Sequence, residues 1–161
     1  MRISPSPLLR WMRLRVLAAA AALLACSLPA LASLGGDVAS VEADRSHMNA
    51  TTTVTTTDNY DVHRIQAPDG KVVDEYVSSA GTVFAVAWHG QFPPDMQQIL
   101  GSYFSQYSAA LQSQERHYGH HPLNIQQSGL VVQTAGHIRA YFGRVYVTAL
   151  LPQGFNPDQI Q

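Results

Sequence analysis

Between Tyr60 and Trp88 the chain alternates between strand-forming stretches and turn chemistry. Tyr60 to Ala67 alternates apolar with polar side chains, and Lys71 to Val77 reads as its return strand. Pro68-Asp69-Gly70 between them suits a tight hairpin, because proline presets one turn angle and glycine accepts a positive φ. Ser78-Ser79-Ala80-Gly81 connects to a third strand, Thr82 to Trp88, so the segment predicts an antiparallel meander. A period of two sends Thr82, Phe84, Val86 and Trp88 to one face of that strand and Val83, Ala85 and Ala87 to the other. Both faces are apolar, which predicts a strand covered on both sides, with large residues filling a core and small ones admitting a close helix or a partner.

The period changes to 3.6 after Pro93-Pro94. Met96, Ile99, Leu100, Tyr103, Tyr107, Ala110 and Leu111 follow the i, i+3, i+4 pattern, with Phe104 beside them, and predict an amphipathic helix of about four turns. Asp95 stands where a cap belongs, and Gln98 three residues on matches a capping box. The opposite stripe, Gln97, Gly101, Ser105, Ser108 and Gln112, carries no charge. A shorter helix is predicted at about 38 to 48, with Val38, Val41 and Met48 on one face and Asp37 or Ser40 near its start. Thr51 to Thr57 favours an edge strand or exposed extended segment, since six threonines around one valine offer little to bury. Gln112 to Gly129 reads as a polar connection, Leu130 to Ala135 and His137 to Phe142 as two strands about Gly136, and Arg144 to Leu151 as a further extended segment. The expected fold class is α+β: an antiparallel meander sheet, one main amphipathic helix packed on a face, and a short N-terminal helix.

The first 32 residues do not belong to that pattern. Arg2, Arg10, Arg13 and Arg15 precede an apolar run from Val16 to Leu28, and Ala30-Leu31-Ala32 offers small residues at a cleavage site, as in a secretory signal peptide. The expected organisation is a signal peptide at 1–32 and a single domain at 33–161, placing the mature chain in the periplasm or outside the cell. Leu23-Leu24-Ala25-Cys26 loosely resembles a lipobox, which leaves a lipid anchor at Cys26 as the alternative to a soluble product starting at Ser33. Without the leader, six basic residues face eleven acidic ones, a net charge of −5 with neutral histidines, which argues against nucleic acid and anionic membranes as partners. Cys26 is the only cysteine, so a chain from Ser33 has no disulfide, thiol nucleophile or thiolate ligand.

Several runs together resemble one family: Leu34-Gly35-Gly36, Val41-Glu42-Ala43-Asp44-Arg45, Glu75-Tyr76-Val77-Ser78, Ala80-Gly81-Thr82-Val83-Phe84-Ala85-Val86-Ala87-Trp88, Leu100-Gly101-Ser102-Tyr103-Phe104 and Gly143-Arg144. In these, and in Val62-His63 and Gly136-His137, the chain is similar to the bacterial proteins grouped as domain of unknown function 2844. The resemblance implies an exported protein of a Gram-negative proteobacterium. It implies no activity, mechanism or site residues.

The sequence has no Gly-x-Gly-x-x-Gly, phosphate loop, Gly-x-Ser-x-Gly elbow or His-Glu-x-x-His, which argues against nucleotide enzymes, common serine hydrolases and zinc proteases. No catalytic residue is assigned and no cofactor is called for. His117, His120 and His121 are the one local concentration of metal-ligating side chains, and imidazoles of an exported protein suit copper, nickel or zinc. Gly119 and Pro122 oppose a rigid helix presenting them together, which favours a polar loop. His63 and His137 fall in predicted strands, His89 at a strand end, and Asp74 or Glu75 are the carboxylates within reach of an acid/base pairing. Arg139 and Arg144 near Tyr141 and Tyr146 suit an anion site or stacking on the rings, with surface pairing to the acidic excess the simpler account. Two main functional classes remain, with an enzyme of unfamiliar site ranked third. One is a non-enzymatic exported domain binding a protein or envelope component through a sheet edge or the uncharged helix face. The other is a small-ligand or metal-binding protein using the His117 to His121 loop.

Overall fold

The computed structural model describes residues 34–113 and 122–161. Helix α1 (Val38–His47) starts where Asp37 accepts a hydrogen bond from the Ser40 amide at 3.0 Å, and Arg45 and His47 in its last turn complement the helix dipole. Asn49, at φ 49°, reverses the chain into the first strand, a conformation that asparagine tolerates better than most residues.

Four strands follow in a meander, β1 (Thr51–Thr56), β2 (Tyr60–Gln66), β3 (Val72–Ser78) and β4 (Val83–Gly90), each antiparallel to the last. A helical segment then crosses the sheet as α2 (Met96–Leu100), a 3-10 turn (Gly101–Tyr103) and α3 (Phe104–Ser113). The chain returns as β5 (Leu123–Gln127), β6 (Leu130–His137) and β7 (Ala140–Val147), and β7 pairs with β4. The result is one seven-stranded antiparallel sheet of order β1-β2-β3-β4-β7-β6-β5, with helices on one face, so the fold is α+β as expected.

Four local expectations needed correction. The helix is not continuous over four turns: Gly101 takes φ 48° and breaks it into α2 and α3, which leaves Leu111 39% exposed although it was expected on the buried stripe. The stretch read as a polar connection contains β5, joined to β6 through Ser128 and Gly129, which both take the positive φ of a two-residue hairpin. Strand β6 continues through Gly136, so the turn falls at Ile138-Arg139 instead, and residues 144–147 complete β7 before a 3-10 turn at Thr148–Leu150. Val38, expected on the inner face of α1, is 47% exposed, while Val41 is buried.

The fourth strand is covered on both sides, but by a different division of side chains. Val77 opposes Val83 and Tyr76 opposes Ala85, which leaves Phe84 as an extra residue in a β-bulge. The bulge resets the alternation, so Val83, Val86 and Trp88 pack in the core beneath the helices, whereas Phe84 joins Ala85 and Ala87 on the other side. On the helix side Val41, Ile99, Leu100 and Tyr107 meet Ile65, Val73, Val86, Trp88, Val132 and Val145. Each large side chain buried there contributes about 1.5–3 kcal/mol. On the opposite side Ala85 and Ala87 are small enough to admit the chain's last segment, residues 148–161, which crosses the sheet as a strap. Phe155 of the strap packs edge-on against Phe84 at 4.9 Å and Tyr60 at 5.2 Å between ring centroids.

Candidate functional site

The strap is tied down along its length by polar residues that rise from the sheet. Tyr76 donates its hydroxyl hydrogen to the Gln159 carbonyl at 3.3 Å and accepts from the Gln161 amide at 3.2 Å. Arg144 on β7 is held from the side by Gln133 on β6, its Nε donating to Oε1 at 2.7 Å. Its Nη1 then donates to the Pro157 carbonyl at 2.8 Å and the Ile160 carbonyl at 3.4 Å. Arg144 therefore bonds carbonyls of the strap as well as pairing with one residue of the acidic excess. It anchors the strap, with a longer contact of 3.4 Å to Asp158.

Where the strap ends, the sheet face stays open. A cleft of about 520 Å³ lies over β4, β7, β6 and β5, with Ile160 and Gln161 among its lining residues. Cross-strand register puts His89 opposite Phe142, Phe142 opposite Ala135, Arg144 opposite Gln133, and Gln133 opposite Asn124. All six line the cleft, and Phe142 is 54% exposed. Trp88, also at the cleft, depends on Gly143 directly across from it: a Cβ on Gly143 would lie 2.5 Å from the Trp88 ring. Apolar and aromatic surface with guanidinium, amide and imidazole groups at its margin suits a ligand with an apolar body and a polar end.

The second concentration of chemistry lies on the helix side. Asp44, one turn after Val41 on α1, and Glu75, mid-strand in β3, are only 4% and 2% exposed, and their carboxyls are hydrogen-bonded to each other. Two carboxyls can bond this way only if one of them carries a proton. Gln98 of α2 donates its side-chain amide to Asp44 Oδ1. The expected capping box is therefore absent. Asp95 caps α2 through the Gln97 and Gln98 amides at 2.9 and 3.2 Å, while the Gln98 side chain turns to α1. Burial pushes both carboxyls upward, Glu75 well above its ordinary 4.5, with further upward contributions from the Asp44 hydrogen bond and charge. Glu75 Oε2 has no hydrogen-bond partner among the described residues. A cavity of about 240 Å³ beside the pair is lined by Asp44, His47, Lys71, Asp95 and Gln98 but not by Glu75. The pair is thus a buried link between helix and sheet rather than an accessible acid/base couple.

The singled-out residues separate accordingly. Asp74 and Glu75 are adjacent yet face opposite sides: Asp74 takes a two-pronged contact from Arg64 at 2.8 and 2.7 Å on the strap side, away from Glu75. His63 is opposite Glu75 in the β2–β3 register, His89 lines the cleft, and His137 is exposed beside the β6–β7 turn. Arg139 occupies that turn at φ 66°. His117, His120 and His121 lie outside the described residues, and among the described residues no group of three or more His, Cys, Asp or Glu could hold a metal ion. Sequence reasoning missed Asp44 and Gln98 as site residues. The available signal was a carboxylate three residues after Val41, on the face that α1 buries.

Two surfaces expected to meet partners are present. Strand β1 is an outer edge with no strand beyond it among the described residues, and its Val54 is 51% exposed. Along the uncharged helix stripe Gln97, Ser105 and Gln112 are exposed. Among the described residues no helix is long and apolar enough to cross a membrane.

No curated protein and no solved structure matches this chain. One family model does, over residues 30–160, which takes in every described element from α1 to the strap. By that match the chain belongs to the family described as Protein of unknown function (DUF2844).

Proposed function

We propose that the chain is an exported, non-enzymatic binding domain of the bacterial envelope that seats an amphipathic ligand in the strap-side cleft. The carrying observation is the cleft itself: about 520 Å³ of partly aromatic space, walled by the chain's own C-terminal residues and edged by Arg144, Gln133, Asn124 and His89. Its polar groups are suited to orienting a ligand, and Arg144 and Gln133 also hold the wall in place. Export is supported by the basic and apolar leader ending at Ala30-Leu31-Ala32, and by a family match that begins at residue 30.

Native mass spectrometry of the protein from its own envelope fraction tests both parts. The expected spectrum has a chain starting at Ser33, or at a lipidated Cys26, and carrying a small-molecule mass. Ala135→Trp fills the cleft and is expected to remove that mass while the protein stays folded. A chain that retains residues 1–32 would overturn export. A ligand-free chain, or an adduct retained by Ala135→Trp, would overturn the cleft assignment and favour pairing at the β1 edge.

A further inference from the structure

We propose that the contact between Asp44 and Glu75 is a pH-operated latch: with a proton shared between the two carboxyls it holds α1 and the start of α2 on the sheet, and without that proton it lets them loosen. The latch lies on the helix side and does not depend on the reading of the cleft.

The geometry makes this contact the main polar tie of α1. Only Ser40, Val41 and Asp44 of its ten residues are buried, and Asp44 is the one that reaches both the sheet, at Glu75, and α2, at Gln98. The preceding segment is fastened separately. Leu34 N donates to the Ile99 carbonyl at 2.9 Å, Gly35 N to the Val83 carbonyl at 2.8 Å and Val83 N to the Gly36 carbonyl at 2.8 Å. Strand β1, after α1, is held by its ladder to β2. The helix between these two fixed points can therefore loosen without dismantling the sheet.

Removing the proton places two carboxylates together in a site where Glu75 is almost fully enclosed and one of its oxygens already lacks a partner among the described residues. The surrounding charges are few. Around the pair α1 contributes His47, the N-cap of α2 Asp95, β2 His63 opposite Glu75 and the turn before β3 Lys71 at the cavity wall, while Val86 of β4 is uncharged. Asp95 adds to the repulsion on Asp44, and His47 opposes it. For a carboxyl with a raised folded value, the sign is fixed: docking is strongest in acid and weakens as pH rises above 4.5 through the folded value of Glu75. A single proton sets a limit of about tenfold per pH unit.

Hydrogen exchange on the full chain tests the latch, with protection factors of α1 amides compared with those of β4 and β7. Between about pH 5 and about pH 8, α1 protection is expected to fall, by at most about tenfold per pH unit, and at each pH to lie below that of β4 and β7. Glu75→Gln keeps a hydrogen-bonding group but removes the titration, and should make α1 protection independent of pH. Equal wild-type protection at the two pH values would overturn the proposal, as would an unchanged pH response in Glu75→Gln. Should that variant fail to fold, Asp44→Asn provides the same comparison, and the wild-type measurement still decides.

Discussion

Gly143 offers the most direct test of the packing. It pairs with Trp88 across β4 and β7, and a Cβ there would lie 2.5 Å from Trp88 Cζ2 and 2.7 Å from the Gln133 carbonyl oxygen. Both distances are shorter than any ordinary carbon contact, and one of the atoms belongs to backbone that is locked in the sheet. Backbone strain plays no part, because Gly143 is not among the glycines of positive φ. Gly143→Ala must therefore displace the indole, the β6–β7 ladder or both. Overpacking of this kind costs about 1–3 kcal/mol. For a domain of this size each kcal/mol lowers Tm by about 3–6 °C, so the variant should melt about 3–18 °C below wild type. The assay carries its own probe, since Trp88 is the only tryptophan after Ser33. On the leaderless chain, intrinsic fluorescence reports both the melt and any native-state displacement of the ring. A Tm within about 1 °C of wild type and an unchanged emission maximum would refute the account of why this position is glycine.

Two further outcomes are expected. Global stability measured by urea unfolding should fall as pH rises from 4.5 through the raised folded value of Glu75, by about 1.4 kcal/mol for each unit of elevation, and Glu75→Gln should flatten that slope; a wild-type slope of the opposite sign would contradict it. Phe155→Ala removes the ring that joins the strap to Phe84, Tyr60 and Tyr76, and should lower stability by about 1.5–3 kcal/mol and open the cleft wall, with an unchanged urea midpoint as the refuting result.

Local patterns in the chain were enough to specify much of the fold. Asp37 and Asp95 cap the helices, Pro68-Asp69-Gly70 turns the β2–β3 hairpin, and the threonines of β1 mark an edge that buries little. These features depend on neighbours a few residues apart, so periodicity and turn chemistry reveal them. Strand β5 was missed because Leu123 and Ile125 are its only apolar residues, too few to stand out from a polar loop, although Ser128-Gly129 carried a hairpin signal.

Tertiary structure decided the rest. A period-two reading of β4 cannot anticipate the extra residue at Phe84, because the bulge is a property of pairing with β3 and of the two cores competing for side chains. Nor can spacing show that Gln98 leaves its own helix cap for Asp44, since that choice needs α1 lying 54 residues earlier in the chain and packed alongside. The same holds for the strap and the cleft at its end, which exist only because Arg144 and Tyr76 draw the last residues across small alanines on a distant strand. Asp44 and Glu75 are ordinary acidic residues in the sequence. Folding brings them together and removes their water, which disfavours ionising both.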